Sequence, residues 1–126
     1  PAAGFVSLGD SLLIGFIASL ITNVCIDVFH KSGRVDDTLD VFASHGVGGM
    51  VGMVLTGVFA EEVGLIHGDS TIFVRHLIAL VGVVVGVFAL SYALYFVVNQ
   101  IIPMRVRTDQ EQRGLDHSQH GERVNT

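Results

Sequence analysis

Three long apolar stretches follow one another along the chain, separated by short polar connectors. They cover about residues 8–29, 41–60 and 76–98. Each has roughly 20 residues, which at about 1.5 Å per residue spans the hydrocarbon core of a bilayer, about 30 Å thick. A single such run could equally be a buried helix of a soluble protein, but three in succession favour transmembrane helices. We therefore predict an all-α integral membrane segment at residues 1–104.

The second stretch carries a row of mostly small or polar residues at helical spacing, which Val41 continues one turn before His45. They are Val41, His45, Gly48, Gly49, Gly52 and Thr56. On a helix this spacing puts them on one face. An ionisable side chain at membrane depth usually faces the bundle interior or a water-filled path, because contact with lipid is costly. His45 is therefore a candidate functional residue, and the alternative is a structural histidine hydrogen-bonded between helices. The Gly48-x-x-x-Gly52 spacing favours close helix packing.

Three carboxylates, Asp36, Asp37 and Asp40, precede the second stretch. We expect Asp40 to cap the N-terminus of the second helix, where a carboxylate accepts from free backbone N–H groups and opposes the helix dipole. A paired-carboxylate site for acid–base chemistry is the less favoured alternative.

The chain becomes polar after the third stretch. Pro103 is expected to end the helix, because proline lacks the N–H group that a helix interior needs. Residues 105–126 are rich in Asp, Gln, Arg and His and are predicted to form a loosely ordered tail. His117 and His120 lie one helical turn apart in this tail, but without further ligands we expect no metal site.

The basic residues predict an orientation in the membrane. The 30–37 connector holds His30, Lys31 and Arg34, and the segment after the third helix also contains several arginines, whereas the 61–75 connector is mainly acidic. Basic connectors favour the cytoplasmic side, and acids count for little in this rule. The first helix is therefore predicted to run inward, the second outward and the third inward, which leaves the C-terminus in the cytoplasm.

The composition narrows the classes of function. Half the residues are apolar, 15% are charged and the net charge is -5, and the mean hydropathy is +0.60. Because no basic face exists, we expect no nucleic-acid partner. The single cysteine, Cys25, cannot form an internal disulfide. Because no charged n-region and cleavage site flank the first apolar run, we expect that this run is not a signal peptide, and since the first residue is Pro1 we expect the chain to be cut from a longer protein.

The residues around His45 form an extended motif. The run 35–49 reads VDDTLDVFASHGVGG and resembles the ammonium transporter family pattern V-D-D-x-x-D-x-F-x-x-H-G-x-x-G, and the run 52–60 continues it. The opening 1–6 is similar to the entry of that family's ninth helix, and the run 104–122 is similar to its C-terminal tail. The resemblance covers nearly the whole chain. Position 44 departs from the pattern, because it holds a serine where the family usually has an apolar residue.

The resemblance implies a fold and a transport function. The three helices would be the last three of an eleven-helix, inverted-repeat subunit that forms a homotrimer in the cell membrane, with one pore in each protomer. His45 matches the second of two pore histidines, and Val41 would line the same pore. The residues expected to pack beside the pore are Phe42, Gly48, Gly49 and Gly52. Ammonium would cross as ammonia, with or without separate proton transfer, in the service of nitrogen uptake.

The resemblance also implies a regulatory tail and several partners. The tail residues that match the family motif are Gly114, Asp116, His120, Gly121 and Glu122. In this family the tail responds to conformation and can meet a PII-type signal protein. The other expected partners are the lipid bilayer and the first eight helices of the same protein, which lie outside this sequence. No cofactor and no metal are expected.

Two other classes of function compete with transport. The chain could be a small membrane interaction subunit that assembles with a complementary chain, and the reading frame upstream of Pro1 would distinguish the two. A membrane enzyme using His45 and the aspartates would need a nucleophile, a metal set or a cofactor motif, and the sequence offers none of these. We therefore expect that the protein is not an enzyme.

Overall fold

A computed structural model describes residues 2–34, 36–68 and 70–122 of the chain. Pro1 and Val35, which belong to the family motifs, lie outside the described residues, and so do residues 123–126 of the predicted tail. The contacts divide the chain into two compact units, one ending at Val84 and the other beginning at Val85.

Three long helices dominate the described residues. They are α1 (Leu8–Ser32), α2 (Phe42–Phe59) and α3 (Ser70–Ile101), and each is long and apolar enough to span a membrane. A short helix, α4, follows at Thr108–Arg113. The described part of the chain contains no strand. The prediction of an all-α fold with three membrane-spanning helices is thus confirmed, although α3 begins six residues before its predicted start.

The ends of α1 show why the helix begins and stops where it does. The backbone N–H of Asp10 donates to the Ser7 hydroxyl at 3.2 Å, and that hydroxyl donates to the Asp10 carboxylate at 2.6 Å. This arrangement satisfies a free N–H group of the first turn. At the other end Gly33 has a φ of 60°, and its N–H donates to the Phe29 carbonyl. A glycine adopts this left-handed conformation without steric cost, so it ends the helix.

Small residues on α2 allow its two neighbours to approach. A Cβ atom at Gly48 would lie 3.3 Å from the Thr22 side chain of α1. A Cβ atom at Gly57 would lie 3.2–3.3 Å from Phe73 and His76 of α3. These distances are tighter than ordinary van der Waals contacts, so a larger residue at either position would push the helices apart.

The buried residues of the first unit are few and small. Those of α2 include Ala43, Gly52, Thr56 and Gly57, while Ile14 is the buried residue of α1. The Thr56 hydroxyl donates to the Gly52 carbonyl at 2.7 Å, so this buried polar group is satisfied within its own helix. No residue of α3 is buried in the part of the chain that the structure describes.

A tight turn connects α2 to the next segment. Gly64 is buried, and its N–H donates to the Ala60 carbonyl at 2.8 Å. A Cβ atom at Gly64 would lie 2.5 Å from the Val58 carbonyl oxygen, which is closer than two such atoms can approach. The Glu61 N–H donates to the Phe5 carbonyl at 2.9 Å, so this turn is tied to the residues before α1.

The second unit contains the last turns of α3 and the tail. On α3 the rings of Phe88 and Tyr92 stack with centroids 6.3 Å apart. After the helix, the Met104 N–H donates to the Asn99 side chain, and an ion pair joins Arg105 to Glu111 at 3.1 Å. The helix end and the beginning of the tail are therefore joined by short-range contacts.

Candidate functional site

His45 lies in a π-helical segment, Phe42–Val47, at the beginning of α2. The N–H of Gly48 donates to the carbonyl of Ala43, five residues earlier, and to that of His45, three residues earlier, instead of to the residue four earlier. Such segments are rare and often occur at functional sites. The α-helical pattern resumes at Gly48 and continues to Phe59.

The His45 side chain is exposed among the described residues. No described residue exchanges a hydrogen bond with its imidazole, so these three helices offer no partner for the alternative of a structural histidine. Val41 is also exposed, at 51%. The two pore residues expected from the resemblance thus both present free surface at the same end of α2.

The small residues expected to share a face with His45 are only partly aligned with it. Gly48 is half-buried against Thr22, and Gly52 is buried. At Gly49 an added Cβ atom would meet nothing within 4 Å. The predicted row assumed α-helical winding throughout, whereas the π-helical segment adds a residue to the turn that contains His45. The winding therefore differs between His45 and the glycines that follow it.

Phe42 connects the beginning of α2 to the end of α1. Its ring lies 5.8 Å from that of Phe29, measured between centroids. The same ring covers Gly46, where an added Cβ atom would approach it to 3.1 Å. Phe42 therefore packs directly beside the residue that follows His45, and Gly46 has no side chain because the ring occupies that space.

The carboxylate that caps α2 is Asp37. It accepts hydrogen bonds from the backbone N–H groups of Val41 at 2.9 Å and Phe42 at 2.7 Å. The prediction that Asp40 caps this helix is wrong, because Asp40 has a φ of 54° and its carboxylate turns to the His30 ring, 2.7 Å away. The His30–Asp40 pair was also missed, since nothing in the sequence spacing shows that the connector folds back onto α1.

An apolar groove lies between α2 and the first half of α3, with a volume of about 370 Å³. Its lining residues are Gly46, Gly49, Met50, Met53, Ala79, Leu80, Val83 and Val84. Gly49 contributes no side chain, and an added Cβ atom there would meet nothing within 4 Å, so the space beside it is open. Among the described residues no group of three or more His, Cys, Asp or Glu side chains could hold a metal ion.

The tail brings its motif residues together by backbone contacts. Gly114 and Gly121 both have positive φ, of 89° and 69°, and end α4 and the π-helical segment Asp116–His120. The Glu122 N–H donates to the Asp116 carbonyl at 3.0 Å. His120 is exposed. The two glycines thus stand where the backbone needs left-handed or extended positive-φ conformations.

Comparisons with known proteins cover nearly the whole chain. A family model described as the Ammonium Transporter Family matches residues 1–125. The chain is 33% identical to an ammonium transporter of Bacillus subtilis, over 98% of this chain and 32% of that protein. It is 35% identical to a putative ammonium transporter of Methanothermobacter thermautotrophicus and 34% identical to ammonium transporter Amt1 of Archaeoglobus fulgidus, in each case over 97% of this chain and 32% of the relative. The chain thus spans about a third of the length of these relatives.

Proposed function

Because the chain belongs to the ammonium transporter family, we propose that it is the C-terminal part of a transporter that moves ammonium across the cell membrane. The observation that carries the proposal is the position of His45, exposed on the π-helical segment of a helix apolar enough to span the bilayer. The relatives are named as transporters, in line with the expectation that the protein is not an enzyme.

An imidazole on a membrane-spanning helix has chemistry that suits ammonium and ammonia. Ammonium must lose its hydration shell to enter an apolar path, whereas neutral ammonia crosses such a path at much lower cost. A ring nitrogen of His45 can accept a hydrogen bond from ammonia, donate one, or relay a proton. Val41, one turn earlier, would keep the path apolar. A twin-histidine pore would need its second histidine from a part of the protein outside this sequence.

The remaining proposed partners come from the resemblance to the family and from the third of the relatives' length that this chain spans. We propose that the exposed faces of α1 and α3 pack against the other helices of the same protein and that the subunit forms a homotrimer. The tail residues from Gly114 to Glu122 would face the cytoplasm, regulate transport and offer a binding surface for a PII-type protein. Their side chains are largely exposed, which supports a role in contact with a partner.

The test is the substitution His45→Ala in the full-length protein. Uptake of labelled methylammonium, measured in cells that lack other ammonium transporters, is expected to fall roughly tenfold or more, because a hydrogen-bonding and proton-relaying group is lost. The matched control is His67→Ala, which removes an exposed histidine from the connector after α2.

Uptake is compared only between variants that reach the membrane in equal amounts and keep the oligomeric state of the wild type. Under these conditions, wild-type uptake by the His45→Ala protein would contradict the assignment of His45 to the pore. An equal loss of uptake in the His67→Ala protein would mean that the effect does not come from the pore.

A further inference from the structure

Two neighbouring contacts fasten the end of α1 to the beginning of α2. The His30 Nε2 atom lies 2.7 Å from an oxygen of the Asp40 carboxylate, and the rings of Phe29 and Phe42 pack 5.8 Å apart. One contact is polar and the other apolar, and they join consecutive residues of α1 to residues on either side of Val41. The connector between these helices is therefore closed into a loop at its base.

Asp40 has an unusual backbone conformation. Its φ of 54° lies in the left-handed region, which side-chain-bearing residues seldom adopt and which Asp tolerates better than most. Such a conformation persists only where the surroundings hold it. The contact with His30, in the last turn of α1, can supply this support, because the imidazole lies 2.7 Å from the Asp40 carboxylate.

The backbone of Asp40 connects this contact to the turn that carries His45. Its carbonyl accepts from the Ser44 N–H at 2.9 Å and from the Ser44 hydroxyl at 2.6 Å. These bonds define the first turn of α2, and Ser44 directly precedes His45. A change in the orientation of the Asp40 peptide would therefore rotate the turn in which the imidazole is placed.

The ion-pair partner of His30 among the described residues is Asp40, and none of the other charged groups in or beside the connector pairs with it. Lys31 pairs with Asp27 on the same helix, and the Asp37 carboxylate accepts from the backbone of α2. Asp36 and Arg34 are exposed in the connector. The carboxylate that His30 contacts is thus that of Asp40, and no other described acid replaces it.

We propose that His30 is a positioning residue for His45, acting through Asp40 and the first turn of α2. The proposal rests on the proposed function, because it assumes that His45 lies in the transport path. An exposed ion pair by itself contributes little to stability. Here the pair instead holds a left-handed residue from which the functional turn begins, so its loss should affect the turn more than the overall fold.

The experiment compares His30→Ala, Asp40→Gly and their combination in the full-length protein. Glycine removes the carboxylate but keeps the left-handed backbone accessible, so Asp40→Gly tests the pair from the other side should His30→Ala fail to reach the membrane. His30→Gln, which keeps an N–H donor, is the rescue variant. Lys31→Ala is the matched control, because it removes the neighbouring exposed pair from the same turn of α1.

Two measurements are made on each variant: methylammonium uptake, and hydrogen exchange of the peptides covering residues 36–48 and 49–59. His30→Ala should lower the maximal uptake rate about threefold with KM changed by less than about twofold, since the turn and not the entry of substrate is altered. It should also speed exchange in residues 36–48 and not in 49–59. His30→Gln should restore both, Lys31→Ala should change neither, and the double variant should match Asp40→Gly alone.

The proposal is overturned if His30→Ala behaves like Lys31→Ala in both measurements, or if the losses of the two single variants multiply in the double variant. A wild-type protein that does not take up methylammonium would contradict the proposed function instead. In that case hydrogen exchange alone decides whether His30 and Asp40 hold the turn.

Discussion

Three acidic residues lie within the six positions before α2, and each has a different environment. Asp36 is exposed, Asp37 accepts from two backbone N–H groups, and Asp40 contacts His30. Any of the three could oppose the positive end of the helix dipole by its place in the sequence. The choice is made by the backbone, because the left-handed conformation at Asp40 turns its carboxylate away and leaves the helix end to Asp37.

The substitution Asp37→Ala is expected to destabilise the beginning of α2. Removing a capping carboxylate leaves two N–H groups without their acceptor and costs about 1 kcal/mol. Thermal unfolding of the purified full-length protein in detergent should show a lower midpoint for Asp37→Ala than for the wild type. The midpoint of Asp37→Asn, which keeps an acceptor oxygen, should lie between those of the wild type and Asp37→Ala. The matched control is Asp36→Ala, whose carboxylate is exposed one residue earlier; an equal shift in that variant would contradict the capping role.

For individual residues, the sequence identifies candidate functional side chains better than it predicts which side chains touch. His45 and the acids were identified because an ionisable side chain within or beside an apolar run requires an explanation. The His30–Asp40 pair could not be predicted, since it depends on one left-handed residue in the connector. A glycine at this position would have indicated a left-handed backbone in the sequence, but the residue there is Asp40.

Among the elements, α2 differs most from its sequence prediction. Its bounds, Phe42–Phe59, agree with the apolar run to within one residue at each end, which is inside the usual uncertainty of helix ends. Its winding does not, because the segment Phe42–Val47 is π-helical and a periodicity of 3.6 residues does not apply there. The predicted face of small residues holds for Gly48, Gly52 and Thr56, which lie beyond this segment, and it does not extend unchanged to His45.

The tight turn after α2 is expected to tolerate no side chain at Gly64. Gly64→Ala places a methyl group 2.5 Å from the Val58 carbonyl oxygen, so the turn must open and release the Gly64–Ala60 hydrogen bond. We expect a loss of folded protein in the membrane equivalent to about 1–3 kcal/mol. Fluorescence-detected gel filtration of a tagged protein measures this loss.

The control for this turn is Gly9→Ala on α1. There the added methyl group makes only an ordinary contact, 3.9 Å from the Ser7 hydroxyl, and alanine favours a helix over glycine. A Gly64→Ala protein as abundant and monodisperse as the Gly9→Ala protein would show that the tight turn is not required.

For the whole molecule, hydropathy predicts the three long helices best, because a lipid bilayer requires apolar side chains on any helix that crosses it. A helix that crosses a bilayer must satisfy its backbone internally and present an apolar surface, and both requirements are visible in composition. The extra residues at the beginning of α3 were missed because Ser70–Arg75 includes polar side chains that interrupt the apolar run. Nothing in hydropathy reports where a helix continues past the apolar core.

The three helices are predicted to cross the membrane in alternating directions. The connector at residues 30–37 and the tail should be cytoplasmic, while the 61–75 connector should be outside. Single cysteines at Ser32, His67 and Ser118, placed in a full-length protein in which Cys25 is replaced by serine, test this with a membrane-impermeant maleimide. Only the cysteine at position 67 should react in intact cells, and all three should react after permeabilisation. Reaction at position 32 in intact cells would reverse the assigned topology.

The length of α3 has a consequence for its depth in the bilayer. Its 32 residues extend about 48 Å along the helix axis, well beyond a hydrocarbon core of about 30 Å. The part without formal charge, 77–98, is about 33 Å long and nearly matches the core with a small tilt. Arg75 and His76 then fall at the level of the lipid headgroups, where the guanidinium can reach a phosphate. Bilayer thickness is therefore one determinant of the depth of α3, and a thicker or thinner membrane is expected to shift the point at which the tail begins.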